Sequence, residues 1–171
     1  MPEANDVSTV IMACDNLAVV SENGRLPLSD LEADSHVHGR LQLEIASRQV
    51  PYLGYWGPDD VCFGDWLVEL SVAARSLASA GGRHVFDEGE QGQPAFVFER
   101  DGDRGFFRIT ASEVSGADGD PAWHRVEFTP TDFIGAFQKL QSSFVATLRE
   151  FSPAVADVWL ARNLRESGRI A

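Results

Sequence analysis

The chain has 171 residues, with 26 Asp plus Glu against 14 Lys plus Arg, a formal net charge of -12 and 44% hydrophobic residues. That length fits one domain of about 100–200 residues, and the apolar content supplies a real core, which excludes wholesale disorder. The acidity excludes nucleic-acid binding and attachment to an anionic membrane surface, because both depend on clustered Lys and Arg.

Residues 7–13 (Val-Ser-Thr-Val-Ile-Met-Ala) are rich in β-formers and predict a first strand, with residues 17–20 a second short one. Glu22-Asn23-Gly24 reads as a turn, and residues 26–35 as an acidic loop interrupted by Pro27. From Arg40 the pattern alternates, with Leu41, Leu43 and Ile45 on one face and Gln42 and Glu44 on the other, as in a half-buried strand. Residues 51–58 (Pro-Tyr-Leu-Gly-Tyr-Trp-Gly-Pro) hold two Pro and two Gly among three aromatics and cannot be regular structure. Residues 65–80 then read as a helix, since Leu67, Leu70, Ala74 and Leu77 recur at spacings of three and four and Gly81-Gly82 supply the stop.

Residues 83–93 are polar and Gly-rich and predict a connection. Residues 95–100 and 105–110 form strand segments around Asp101-Gly102-Asp103-Arg104, a β-hairpin with Phe96 and Phe98 on one face of its first arm and Phe107 and Ile109 on one face of its second. Residues 123–128 alternate again and predict the last strand. Thr129-Pro130-Thr131-Asp132 combines a capping residue, a proline at the first helical position and an acid in the first turn. Phe133, Phe137, Leu140, Phe144 and Leu148 follow at helical spacing, giving a long amphipathic helix over 130–150. Ser152-Pro153 restarts the signature for a shorter helix over 153–167, with Val155, Val158, Trp159 and Leu164 on its apolar face. The order predicts a single α+β domain over 1–171, a mainly antiparallel sheet packed on one side by about three helices, the longest near the C-terminus.

The acidic N-terminus lacks the basic region of a signal peptide, and no apolar run approaches the roughly 18 residues of a membrane span. Cys14 and Cys62, 48 positions apart, read as two buried free thiols in a reducing cytosol, so a cytoplasmic location is expected. Charge is uneven: residues 1–65 carry -8, residues 66–120 carry -5 and residues 121–171 carry +1. Asp30, Glu32 and Asp34 alternate just before His36-Val37-His38 and mark the acidic pole.

His36 and His38 stand two apart, so on a strand both project to one face, as metal-binding pairs sometimes do. A cupin-like site needs a Glu four or five positions after the second His, whereas Glu44 is six positions on, and His84 and His124 are far in sequence. The alternative, a small metal-dependent enzyme using His36 and His38, therefore stands behind a solvent-facing His pair. Asp-Gly-Asp at 101–103 and 118–120 lacks the further acids of a calcium loop and reads as turn chemistry. Nucleophile elbows, Walker loops and dinucleotide fingerprints are absent, no cofactor is expected, and the paired acids Asp59-Asp60 and Asp87-Glu88 read as solvated.

The aromatic loop is the richest feature. Tyr52, Tyr55, Trp56, Asp59 and Asp60 lie within nine residues, and such residues anchor interfaces and steer a basic partner. Against that stands the burial of most large aromatics, which would fold Trp56 and Tyr52 inward over the sheet. Asp30, Glu32, Asp34, Tyr55, Trp56, Asp59 and Asp60 are thus the expected partner-binding residues, and no residue is expected to be catalytic. A structural domain that oligomerises through its near-neutral C-terminal helices is a further alternative.

Over residues 40–150 the chain resembles the small acidic α+β immunity proteins of bacterial polymorphic-toxin systems. The resemblance lies in organisation: one helix, a Phe-rich meander with a Gly-containing turn, then the helix Phe133 to Leu148 with its Phe-x-x-x-Phe spacing. It carries over no individual residue. It implies cytosolic neutralisation of a basic toxin, often a nuclease, by acidic side chains that cover the toxin's active site.

Overall fold

The computed structural model describes residues 9–88 and 92–164. The described strands pair antiparallel throughout and form two sheets rather than one. The first sheet holds β1 (Val10–Ser21), β2 (Gly24–Leu26), β3 (His36–Ile45) and β4 (Arg48–Gln49) in the order β2-β1-β3-β4, with β5 (Val61–Cys62) also pairing β3. The second runs in chain order through β6 (Arg83–Phe86), β7 (Ala95–Asp101), β8 (Arg104–Thr110) and β9 (Val126–Phe128). Helices α1 (Phe63–Leu77), α2 (Pro130–Phe151) and α3 (Ala156–Asn163) complete an α+β fold whose longest helix is near the C-terminus.

β1 is one strand where the sequence suggested two. Asp15 pairs with Arg40 and Ala18 with His38, so Asn16 and Leu17 together face Gly39 in a β-bulge. Asn16 takes φ 52, a left-handed conformation that its short polar side chain tolerates. Gly39 is required there, because a Cβ would lie 2.8 Å from the Leu17 side chain and 2.9 Å from the Asp15 carbonyl oxygen. Residues 7 and 8 of the first predicted strand lie outside the described residues. β3 meets β4 through Ala46 (φ 52) and Ser47 (φ 64), the type I′ pattern made by two residues that both resist it. The hairpin between β7 and β8 turns on Gly102-Asp103 with Gly102 at φ 63, as a type II′ turn requires.

β6 replaces the expected connection. His84 and Phe86 face the core and Arg83 and Val85 face outward, but a polar residue at an inward position hides that alternation in the sequence. The last strand is shorter than expected, only Val126–Phe128. Pro121–Trp123 instead forms a 3-10 turn, capped by Asp120, whose carboxylate accepts from the Ala122 amide at 3.0 Å.

α1 begins two residues before its expected start and ends before Gly82, where a Cβ would meet the Ser76 carbonyl oxygen at 1.6 Å. Thr129 precedes α2 but makes no side-chain cap. The acid of the first turn works differently: Asp132 accepts from the Thr9 amide (2.8 Å) and hydroxyl (3.1 Å), and the Thr9 hydroxyl accepts from the Thr129 amide (2.9 Å). That knot joins the start of β1 to the start of α2. α3 starts at Ala156, three residues later than expected, because the Val155 and Ala156 amides turn back to the Ser152 carbonyl. Trp159 and Leu160 face the core while Val158 is exposed, and residues 165–167 of the predicted helix lie outside the described residues.

A single apolar cluster runs through both sheets and all three helices. Phe144 of α2 stacks on Phe63 of α1 at 5.5 Å and touches Trp159 of α3 at 5.8 Å. Phe98 of β7 meets Phe107 of β8 at 5.1 Å and Phe133 of α2 at 5.3 Å, so the expected inward faces of the hairpin hold. Among the described residues no helix is long and apolar enough to cross a membrane.

Candidate functional site

The acidic loop is shaped by its apolar residues. Leu28 and Leu31 are buried, a 3-10 turn spans Leu28–Asp30, and the intervening Asp30, Glu32 and Asp34 are left exposed. Ser35 holds the loop's end, its hydroxyl accepting from the Glu32 amide (2.9 Å) and its carbonyl from the Trp159 indole (2.8 Å). Asn163 adds a bond to the Ala33 carbonyl at 3.2 Å, so α3 buttresses this loop. The loop and the β1–β2 hairpin enclose an open groove of about 1050 Å³, lined by the carboxylates of Glu22, Asp30, Glu32 and Asp34.

The aromatic loop is anchored at Leu53, which is buried and whose carbonyl accepts from the Trp66 indole at 3.1 Å. Tyr52, at φ 67, donates its hydroxyl to Asp120 (3.1 Å), which raises the phenol's pKa. Gly54 passes so close to Gly57 that a Cβ would lie 2.1 Å from the Gly57 carbonyl oxygen. This tight turn carries Tyr55 and Trp56 outward, 41% and 78% exposed, with their rings edge to face at 4.4 Å. Tyr52 is exposed too, so the inward folding of Trp56 and Tyr52 does not occur; Leu53 fills that place.

Asp60 ties the two regions together. One oxygen lies 2.7 Å from His38 Nδ1 and the other accepts from the Trp56 amide at 3.2 Å. Asp59 is exposed, and its carbonyl accepts from the Arg25 guanidinium of β2 at 3.0 Å. Between the loops, a cavity of about 610 Å³ is bounded by Ser35, His36, Cys62, the α1 acids Asp65 and Glu69, and Trp159 and Arg162 of α3. A smaller one of about 180 Å³ lies under Tyr55 and Trp56 and shares Cys62, Asp65 and Glu88 with it. The open groove shares Ser35 and His36 with the first and Val20 with the second, so the three adjoin along one side of the molecule. All seven expected partner-binding residues border them or, like Asp59, adjoin them.

His36 and His38 project from one face of β3, as expected, with ring centroids 6.4 Å apart. His84 reaches inward to the Glu69 carboxylate on α1, and His124 is exposed beyond the 3-10 turn. The four histidines do not converge, and among the described residues no group of three His, Cys, Asp or Glu could hold a metal ion. Of the paired acids, Asp87 is structural, accepting from the Ser112 hydroxyl (2.5 Å) and the Glu113 amide (3.0 Å).

Cys62 pairs across the strands with His38, which Asp60 holds: the order of a thiol, imidazole and carboxylate triad. The thiol is not activated. Burial, with the Asp65 carboxylate beside it, pushes Cys62 up to about 12, so the thiol stays protonated at neutral pH. Both cysteines are free and half-buried; burial also raises Cys14, which faces Ser143 of α2. Sequence reasoning missed the site's far wall, Asp65, Glu69, Trp159 and Arg162, and read Glu88 as merely solvated. Only Asp65 and Glu69 left a signal, two acids at i and i+4 on one helical face.

No protein-family model matches the chain, and no curated protein or solved structure is significantly similar to it.

Proposed function

We propose that this protein binds a basic protein partner through the adjoining acidic concavities between β2, β3, α1 and α3, in the manner of an inhibitor or immunity protein acting in the cytoplasm. The observation that supports the reading is the position of Trp56: the largest apolar side chain of the loop stands in water beside Tyr55, at the edge of a surface walled by carboxylates. Exposed aromatics of this kind supply binding energy, and surrounding acids speed encounter with a basic surface. The metal-enzyme alternative lacks a third ligand among the described residues, and the thiol of the triad-like order is protonated at neutral pH.

Octa-arginine serves as a probe of location. Neutralising Asp30, Glu32 and Asp34 together (to Asn, Gln and Asn) is expected to weaken its binding at low salt about tenfold or more. Neutralising the exposed Glu113, Asp118 and Glu150 changes net charge equally and is expected to weaken it much less. Equal losses in the two triple variants, measured by calorimetry at about 20 mM and 200 mM NaCl, would sink the reading.

A further inference from the structure

We infer that the small cavity under Tyr55 and Trp56 is a subsite for one arginine side chain of the partner. This rests on the partner-binding reading and specifies its anchor. Four aromatic rings line the cavity: Tyr55 and Trp56 at its mouth, and Trp66 and Phe86, 4.7 Å apart and buried, at its floor. Carboxylates of Asp60, Asp65 and Glu88 stand among them, and among the described residues that line the cavity there is no Lys or Arg. Aromatic faces attract a cation by their quadrupole, and carboxylates accept its N–H groups, so the two kinds of wall select the same guest.

Size narrows the guest further. At about 180 Å³ the space falls below the roughly 300–1,000 Å³ of a small-molecule or cofactor site, and suits a single long side chain. Guanidinium fits better than ammonium, because it is planar and can lie on the Trp56 face while its fork meets a carboxylate. Asp60 is already aligned for that contact, fixed by His38 on one oxygen and the Trp56 amide on the other. The acceptor therefore loses little freedom when the cation arrives.

The test uses the capped tripeptide Gly-Arg-Gly and its citrulline and lysine counterparts, titrated into the full chain while the indole N–H resonances are followed by NMR. The arginine peptide is expected to shift the Trp56 indole and to bind at least fivefold more tightly than the citrulline peptide. Trp56→Ala should weaken it about three- to fivefold, as loss of an exposed cation–π contact does. Tyr55→Ala, at the other side of the mouth, should weaken it too; both residues are exposed, so folding is not at stake. Equal affinity for arginine and citrulline or for arginine and lysine, or an unchanged Kd in Trp56→Ala, overturns the assignment. The two proposals fail separately. If only the subsite is wrong, octa-arginine keeps its dependence on Asp30, Glu32 and Asp34 while the tripeptides are indistinguishable. If only the wider surface is wrong, the arginine tripeptide still shifts Trp56 while octa-arginine is indifferent to those acids.

Discussion

At the scale of single residues, the strain at Ala46-Ser47 and the buried thiol of Cys62 each give a measurable consequence. Left-handed backbone costs an L-residue about 1–2 kcal/mol, and both central positions of the β3–β4 turn adopt it. Replacing the pair by Asn-Gly, Ala46→Asn with Ser47→Gly, is expected to stabilise the fold by about 1 kcal/mol, read as a higher urea midpoint at unchanged slope. Cys62 holds its proton in the folded state to about pH 12, whereas the unfolded thiol releases it near 9. Folding is then favoured in full below pH 9, and that contribution falls away as pH rises from 9 to 12. Cys62→Ala should flatten this part of the stability profile, measured by chemical denaturation at stepped pH. A wild-type profile that stays level across the window would contradict the account.

At the scale of elements, the packing centre is Phe144, held between Phe63 and Trp159 and fully buried. It fastens all three helices at once. Phe144→Ala should cost about 3–5 kcal/mol, while Phe151→Ala at the exposed end of the same helix should cost under about 0.5 kcal/mol. The stripe that buries Phe144 was legible in the sequence, because helical spacing over five apolar residues has few other solutions. The bulge in β1 and the strand β6 were not legible. A bulge breaks the period of two that betrays a strand, and His84 of β6 faces inward because Glu69 of α1, fifteen residues earlier, receives it. The acidic and aromatic loops were legible as composition, but their meeting was not. It depends on Asp60 reaching His38 and on α3 propping Ser35, contacts between segments up to 124 residues apart.

For the whole molecule, the net charge of -12 is distributed by pairing as much as by number. On the outer face of the second sheet Glu99 takes Arg83 and Arg108, Glu127 takes Arg104, and Arg125 covers Phe106 at 3.8 Å. On the first sheet's side Asp30, Glu32 and Asp34 crowd one groove with Glu22. Like charges so placed oppose the compact state, more so at low ionic strength. The triple variant neutralising Asp30, Glu32 and Asp34 is therefore expected to be more stable than the natural chain by about 0.5–1 kcal/mol at about 20 mM salt, with the gap closing toward 0.5 M. Thermal unfolding across a salt series measures it. A groove that costs stability is what the proposed binding role would entail, since function and stability commonly trade against each other.

The bulge opposite Gly39 also sets the phase of β1. Before it the even-numbered residues Val10 and Met12 face the core, and beyond it the odd-numbered Val19 does. The bulge takes up one extra residue: a chain lacking Asn16 or Leu17 would place a single residue opposite Gly39, and regular alternation would still turn Val19 to the core opposite Val37. Length at this point is thus free to differ by the one residue that the bulge takes up. A lineage of such chains could therefore drop one residue between Asp15 and Ala18 and keep both halves of the strand in register.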